Sequence, residues 1–430
     1  MESAAGGCCG RNCGLLRSHG PEGASGSQDA HAVLQRGEQK LPGMTLLNPA
    51  FAYAATWMFV LLIYSFRLSY LLDPLQPSTI VLVVGTSLSF IAGWLLESLP
   101  NYGRLAGAKM NLNALGDVIN AVRIGRRLRV IWIVFALGIS FEVAYFGGIP
   151  LLGLFGIGAP ILYSDFGVPG FHGLLNALFY SGCVVTFARI LLGSSKKTWL
   201  LWMVSLGYPV LILSRQVLVS LLVQYLCIYF SIRTPSRQMF VRTGLLVVSA
   251  LLIFGYVGDA RSGRDAIIYL AAPTFDYPDW LPSAFIWVYI YLSSPLNNVN
   301  YNIDVSPNFF PLETAGTFIP SFARDDVLAA FGYSQNQHWS LVSETFNVSS
   351  LLQGLLTDFG VIGAIVFTLL CGVVFSRVLR RSATSPAAFF ALIILVHGIA
   401  LSFFANLLFH LVFMCEMLTT TWLVGLSRRR

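Results

Sequence analysis

Charge is scarce in this sequence. Asp, Glu, Lys and Arg make up 11% of its 430 residues against 56% apolar residues, and the mean hydropathy is +0.70. That balance excludes an ordinary soluble globular protein. Cysteine is sparse and scattered: Cys8, Cys9 and Cys13 stand near the N-terminus, while Cys183, Cys227, Cys371 and Cys415 lie singly in apolar runs. Neither a disulfide framework nor a zinc site is indicated. Also missing are a GxxxxGK(S/T) phosphate loop, a GxGxxG turn after a strand, an HExxH pair and any His or Cys run at metal-ligand spacing. These absences argue against nucleotide-driven transport, a nucleotide-sugar enzyme and a resident cofactor or metal. There is no internal repeat of the kind several transporter folds carry.

What the sequence has is long apolar runs. Ten of them, near 48–70, 79–99, 130–147, 171–192, 198–214, 216–232, 240–258, 352–376, 386–404 and 406–426, approach the roughly 17–25 residues needed to cross the hydrocarbon of a bilayer. An all-α polytopic membrane protein of about ten spans is expected, the fifth and sixth meeting in a tight turn at Arg215. Lys and Arg accumulate in cytoplasmic loops. With both termini cytoplasmic, all of the 27 basic residues except Arg67, Arg215, Arg261, Arg264 and Arg324 fall inside. The net charge of +7 then reflects topology and anionic inner-leaflet lipid, and gives no reason to expect nucleic acid as a partner.

Residues 1–43 are rich in Gly, Ser and Ala without apolar periodicity and read as a disordered cytoplasmic tail. They lack a signal-peptide core, and Met44, immediately before the first span, is an alternative start. Residues 44–430 form a single transmembrane domain. Between the second and third spans, Leu105, Leu112, Leu115, Ile119 and Val122 recur at helical spacing beside Lys109, Arg123, Arg126 and Arg127. They predict a basic amphipathic helix on the inner surface. The glycine cluster Gly153–Pro160 predicts an irregular, partly re-entrant outer segment.

The segment 259–349 is the one long interruption after residue 130, and the charge count puts it on the face away from the cytoplasm. Arg261 and Arg264 in GDARSGRDA alternate with Asp259 and Asp265. Either they form interfacial salt bridges of small energetic worth, or they clamp a diphosphate with their planar forks. Arg215, at the outer meeting of two spans, either reaches lipid phosphate or binds an anionic substrate group. Arg324, next to Asp325 and Asp326, reads as structural. His338 can accept a proton from a hydroxyl or simply pack beside Trp339, and Glu344 is a second candidate base. His172, His397 and His410 lie in or beside spans and read as packed side chains. The loop aromatics, among them Tyr277, Trp280, Trp287 and Tyr291, suit interfacial anchoring or stacking on sugar rings. The 12 apolar residues Leu281–Leu292 are too few to span and lie in the interface or dip into the bundle.

Four passages in order carry a family resemblance: GGIPLL with YSDFGVPGFHGLLNALFY, SRQVLVSLLVQ, GYVGDARSG leading to WVYIYLSSPLNN, and NVSSLLQGLLTDFGVIGAIVF. Over about residues 46–426 the chain resembles the oligosaccharide repeat-unit polymerases of bacterial surface polysaccharides, the O-antigen polymerase group. It is more distantly similar to O-antigen ligases, which place a histidine before a Gly-x-x-Gly where this chain has Ser349, Ser350 and then Gly360 and Gly363. That departure argues against ligase activity and leaves the base unassigned. The resemblance implies a GT-C-like architecture in the bacterial inner membrane. It also implies glycosyl transfer at the periplasmic face from a glycan on undecaprenyl diphosphate to an incoming lipid-linked repeat unit, without cofactor or metal. A chain-length regulator and a repeat-unit flippase would be partners. On this expectation Arg215, Arg261 and Arg264 bind diphosphate, and Asp259, His338 or Glu344 is the base. The rival from another class is a non-enzymatic transporter of lipid-linked glycan.

Overall fold

The computed structural model describes residues 47–99, 112–159, 161, 165–193, 196–233, 236–332, 339–343, 346–348 and 350–425. The expected tail 1–43, the first part of the expected amphipathic helix, and the candidate residues His338, Glu344 and Ser349 lie outside these residues.

Among the described residues the protein is all-helical, with no strand. In chain order the helices are α1 Pro49–Ser65, α2 Pro77–Ser98, α3 Leu112–Asn120, α4 Val122–Phe146, α5 Pro150–Leu154, α6 Phe171–Leu191, α7 Lys196–Leu211 and α8 Arg215–Ile232. They continue with α9 Arg237–Ser262, α10 Arg264–Ala271, α11 Ala284–Tyr301, α12 Leu312–Ala315, α13 Ser321–Ala330, α14 Leu351–Ser382, α15 Pro386–Ala400 and α16 Leu411–Gly425. A helix lies over each of the ten apolar runs. By length and composition, 5 helices of the described residues can cross a membrane: Pro77–Ser98, Val122–Gly153, Phe171–Leu191, Arg215–Ile232 and Leu351–Ser382. Pro49–Ser65, Thr198–Leu211, Pro386–Ala400 and Leu411–Gly425 are apolar but shorter.

Helix ends follow local chemistry. Pro49, Pro77 and Pro386 stand in first turns, where a missing N–H costs nothing. The side chains of Asn48, Ser214, Ser236 and Ser385 cap the helices that follow them. Between α7 and α8 the chain turns in three residues, with Leu213 at φ 55°. The basic helix begins differently from its expected face: Leu115 and Ile119 of α3 are buried, but Val122 is exposed and starts α4. The glycine cluster holds the short α5 followed by Gly156 and Gly158 at positive φ.

The most extensive helix pairing joins α2 to α14, and small residues let the backbones meet. A Cβ on Gly93 would fall 2.1 Å from the Leu369 carbonyl oxygen, and one on Gly372 would fall 2.3 Å from that of Phe90. Ser89 donates to the Ile365 carbonyl at 2.6 Å and Ser98 pairs with Ser376 at 3.0 Å. Lipid gives helices no hydrophobic reason to associate, so close backbone contact and hydrogen bonds between helices must do it. Beyond this seam Glu97 holds Arg380 at 2.7 Å and Arg377 at 3.1 Å. Arg127 at the start of α4 reaches the Trp422 and Leu423 carbonyls near the end of α16, and Arg233 reaches Leu191 at the end of α6. One end of the bundle is therefore basic, as the charge count expects of a cytoplasmic end.

At the other end the long interruption is no simple loop. It contributes α11, whose residues from Ser293 to Asn300 are all buried and whose Ile290, Leu296 and Val299 share a core with Trp57, Phe90 and Leu352. The apolar residues Leu281–Leu292 therefore enter the bundle. Trp287 and Tyr291 pack on Phe346 at 5.1 and 5.9 Å, while Trp280 stays exposed. Asparagines tie α11 to chain without secondary structure. Asn297 accepts from Asp73 N–H and the Tyr64 hydroxyl and donates to Leu71 O. Asn300 accepts from Gln76 N–H and the Thr79 hydroxyl at 2.8 Å each and donates to Pro74 O. Asn298 donates to Phe346 O and Val348 O and accepts from Val342 N–H, and Asn302 exchanges both bonds with Ser340.

Replacing Asn298 leaves three backbone groups without their partner, each worth about 1 kcal/mol net and more when it stays buried. Asn298→Ala is expected to cost about 3 kcal/mol, read as a lowered Tm of the detergent-purified protein. An unchanged Tm would show that the 342–348 segment does not depend on this side chain.

Candidate functional site

The buried start of α14 gathers polar side chains that the fold does not use. Ser350 precedes the helix, and Gln353, Gly354, Thr357 and Asp358 occupy its first turns, all buried. The helix then breaks at Gly360, whose φ of 67° and ψ of −177° are not helical and favour glycine. A Cβ there would also meet Pro307 at 3.3 Å. Next to Pro307, Asn308 N–H donates to Thr357 O at 2.8 Å. The break attaches the middle of the long interruption, at Pro307 and Asn308, to α14.

Asp358 works within the structure. Its two oxygens accept the Glu313 and Thr314 N–H groups at 2.8 and 2.7 Å, which holds α12 against α14. Thr314 is thereby set beside Gly354: a Cβ on that glycine would lie 3.6 Å from Thr314 Oγ1 and 3.7 Å from Asn406 Nδ2. Asn406 belongs to the non-helical connector 401–410, joined to α14 by a 2.8 Å bond from Leu351 N–H to Ser402 O. Around this point Ser350 Oγ, Gln353 Oε1 and Nε2, Ser402 Oγ, Asn406 Oδ1 and Asn308 Nδ2 are all buried with no protein partner among the described residues. Buried polar groups are normally satisfied, and each exception calls for an explanation. A concentrated set of neutral donors and acceptors on three chain segments is the chemistry that binds a polyhydroxylated, uncharged molecule.

Aromatic and cationic groups border this array. The Phe409 ring meets Phe318 at 6.0 Å and Phe367 at 5.5 Å, and the Thr317 hydroxyl donates to Phe409 O at 2.6 Å. Arg324 donates to Gly316 O and Ile319 O, the structural role expected of it. Burial, together with the nearby Arg324 guanidinium, pushes the His410 imidazole below its ordinary value. Among the described residues no three His, Cys, Asp or Glu side chains form a metal cluster.

The charged residues expected from sequence lie elsewhere. Asp259, in the last turn of α9, accepts from the Ser283 hydroxyl just before α11. Arg264 opens α10 and is engaged by the following loop. It donates to Pro278 O at 2.7 Å, pairs with Asp279 at 3.3 Å and lies over the Tyr277 ring at 5.7 Å. Its nearer ion-pair partner is thus Asp279, with the interleaved Asp265 of the sequence reading at 4.0 Å. Arg261 lies on the final turn of α9. Arg215 is the first residue of α8 and is exposed, without an ion pair among the described residues. α8 packs mainly on α6, α7 and α15, whereas α9 and α10 pack on each other and on α11. The expected grouping of Arg215 with Asp259, Arg261 and Arg264 is neither supported nor excluded by these helix contacts.

Sequence reasoning passed over three sets of polar residues: the neutral array, a Glu142–His172 pair, and Glu416 with Gln224 and His397. In the last, Gln224 Nε2 lies 2.8 Å from Glu416 Oε1 and 3.1 Å from His397 Nδ1, all three side chains buried. The available signal was the presence of Glu, His, Gln and Asp inside apolar helices, where such residues are costly and commonly functional. The chain matches no family model, no curated protein and no solved structure, so the chemistry of its own residues has to carry the functional argument.

Asp358 and Gln353 separate stability from function. Asp358→Ala strands two N–H groups and is expected to cost about 2–4 kcal/mol. Gln353→Met loses no protein hydrogen bond and removes a buried polar group, so its Tm is expected to equal or exceed that of the parent. Matching Tm losses for the two variants in detergent would mean that Gln353 has a partner within the fold.

Proposed function

We propose that this protein is a membrane glycosyltransferase that polymerises lipid-linked oligosaccharide repeat units into a surface polysaccharide at the periplasmic face of a bacterial inner membrane. One observation carries the reading: the buried hydroxyls of Ser350 and Ser402, the Gln353 carboxamide and the Asn406 Oδ1 without protein partners. Sugars present closely spaced groups that both donate and accept, and neutral side chains with the same dual capacity complement them. The aromatic wall at Phe318, Phe367 and Phe409 suits the apolar faces of a sugar ring. The resemblance to O-antigen polymerases points the same way.

The activated bond in such a reaction is the one between the sugar and the lipid diphosphate. Catalysis needs charge stabilisation on the departing diphosphate and removal of a proton from the acceptor hydroxyl. Arg215, exposed at a helix start, and Arg261 are the arginines assigned to the diphosphate. Arg264 supports them indirectly by fixing the 277–279 loop. The substrates would be undecaprenyl-diphosphate glycans, with a flippase supplying repeat units and a chain-length regulator acting on the product.

A transporter of lipid-linked glycan is the second reading. The non-helical break at Gly360 and the buried Glu416–Gln224–His397 set favour it, because broken helices and membrane-buried ionisable residues recur in transporters.

Gene deletion distinguishes the readings on a gel of surface glycan. Polymerase loss is expected to leave acceptor carrying one repeat unit, ligase loss to leave no attached glycan, and transporter loss to trap lipid-linked glycan at the inner leaflet. Unaltered long chains would exclude both enzymatic readings. Arg215→Ala, Arg261→Ala and Gln353→Met, expressed in the deletion strain at parental levels, are each expected to lose chain extension by at least about tenfold, corresponding to one transition-state contact of roughly 1.4 kcal/mol. Full-length polymer from all three would remove these assignments.

A further inference from the structure

α4 and α6 are joined at their non-basic ends by a carboxylate and an imidazole. Glu142 has no solvent exposure. One of its oxygens accepts Val168 N–H at 3.0 Å and the other lies 2.7 Å from His172 Nδ1. The connector before α6 holds the ring in place. Gly167, at φ 110°, passes so close that a Cβ would fall 2.4 Å from the imidazole, and Phe166 meets the ring edge-on at 5.8 Å. His172 nonetheless keeps 22% of its side-chain exposure. Its Nε2 has no protein partner among the described residues and is not one of the buried unpartnered atoms. A carboxylate on Nδ1 fixes the tautomer with its proton there and leaves Nε2 as an acceptor.

The pair faces the surroundings of the candidate site. A Cβ on Gly170 would meet Phe322 of α13 at 2.8 Å, and one on Gly173 would meet Val412 of α16 at 3.2 Å. These two helices carry or adjoin Arg324 and His410. The packed elements also carry Asp165 in the connector, Tyr145 of α4, Asp325 and Asp326 of α13, Cys415 and Glu416 of α16, and Tyr208 of α7, which donates to Asn176 Oδ1 at 2.9 Å.

We propose that His172 is the general base of the glycosyl transfer and that Glu142 is its positioning residue. The inference rests on the polymerase reading and supplies the base that Asp259, His338 and Glu344 were expected to provide. In the step, the acceptor sugar oxygen bonds to the anomeric carbon of the donor glycan as the bond from that carbon to the phosphate oxygen breaks. The electron pair leaves with the lipid diphosphate. The acceptor hydroxyl proton passes to His172 Nε2, the imidazolium is stabilised by Glu142, and the proton is then released to water. General-base assistance of this kind contributes about 10²–10⁴ in rate.

His172→Asn provides the test, because the Asn amide occupies the place of Nδ1–H and can still donate to Glu142, but nothing replaces Nε2. Membranes from the deletion strain expressing each variant are supplied with the lipid-diphosphate-linked repeat unit extracted from the same strain, and chain extension is followed against pH. His172→Asn is expected to keep the parental Tm and to lose extension about 10²-fold or more. Glu142→Gln is expected to retain slower extension with its acidic limb displaced from that of the parent. Parental extension rates in His172→Asn, or a pH profile unmoved in Glu142→Gln, would overturn the base assignment while leaving the polymerase reading intact. Absence of extension with the parental protein would instead count against that reading itself.

Discussion

Three asparagines on one helix and a fourth at its C-terminal cap hold the non-basic end of this protein together. Chain that leaves a helix near a membrane must still pair its N–H and C=O groups, and the stretches 71–76, 340–343 and 346–348 have no ladder of their own. The carboxamides of Asn297, Asn298, Asn300 and Asn302 substitute for one, each both donating and accepting. A carboxylate could only accept and an ammonium only donate, so asparagine is the economical choice for two-sided backbone pairing without buried charge. These bonds fix Ser340, Val342, Phe346 and Val348 against α11 and its cap.

α14 then serves two purposes on either side of one glycine. After Gly360 it lies against α2 through small residues at backbone contact, an arrangement that cannot shift by even a methyl group. Before Gly360 it is lined with Ser350, Gln353 and Thr357 and braced by Asp358 against α12. The rigid half anchors the polar half. Side chains that must meet a ligand with fixed geometry are best mounted on such a braced element.

The apolar runs and helix positions were legible because hydrocarbon thickness and backbone satisfaction leave few solutions. Even so, α16 starts at Leu411 rather than near 406, since the preceding residues form a connector that contacts α14. The role of α11 was hidden: SSPLNNVN looks like loop sequence, and its helix exists only because partners from 64–79 and 340–348 surround it. The candidate site was obscured for a related reason. Reading for charge singled out Arg264, which the fold binds to Asp279 and Pro278. The unpartnered groups are neutral, and a single letter for Ser, Thr, Asn or Gln says nothing about whether its partners are present. Glu142 and His172 were visible as letters, but 30 residues separate them, and only the antiparallel packing of α4 on α6 makes them a pair.

That packing also relates the proposed anion and proton chemistry. Arg233, following α8, bonds to the Leu191 carbonyl at the end of α6, so these neighbouring helices finish together and begin at the same end. Arg215 and His172, each within the first two residues of its helix, therefore occupy one end of one helix pair. A lipid diphosphate needs a cation near the headgroup level, and its sugar must extend away from the acyl chain. An arginine at the exposed start of α8, an imidazole at the start of α6 and a neutral polar array beyond α13 and α16 follow that order of chemical need. The charge-poor composition fits such a substrate: one anionic group to be recognised, followed by neutral sugars, calls for few charges and many amides and hydroxyls.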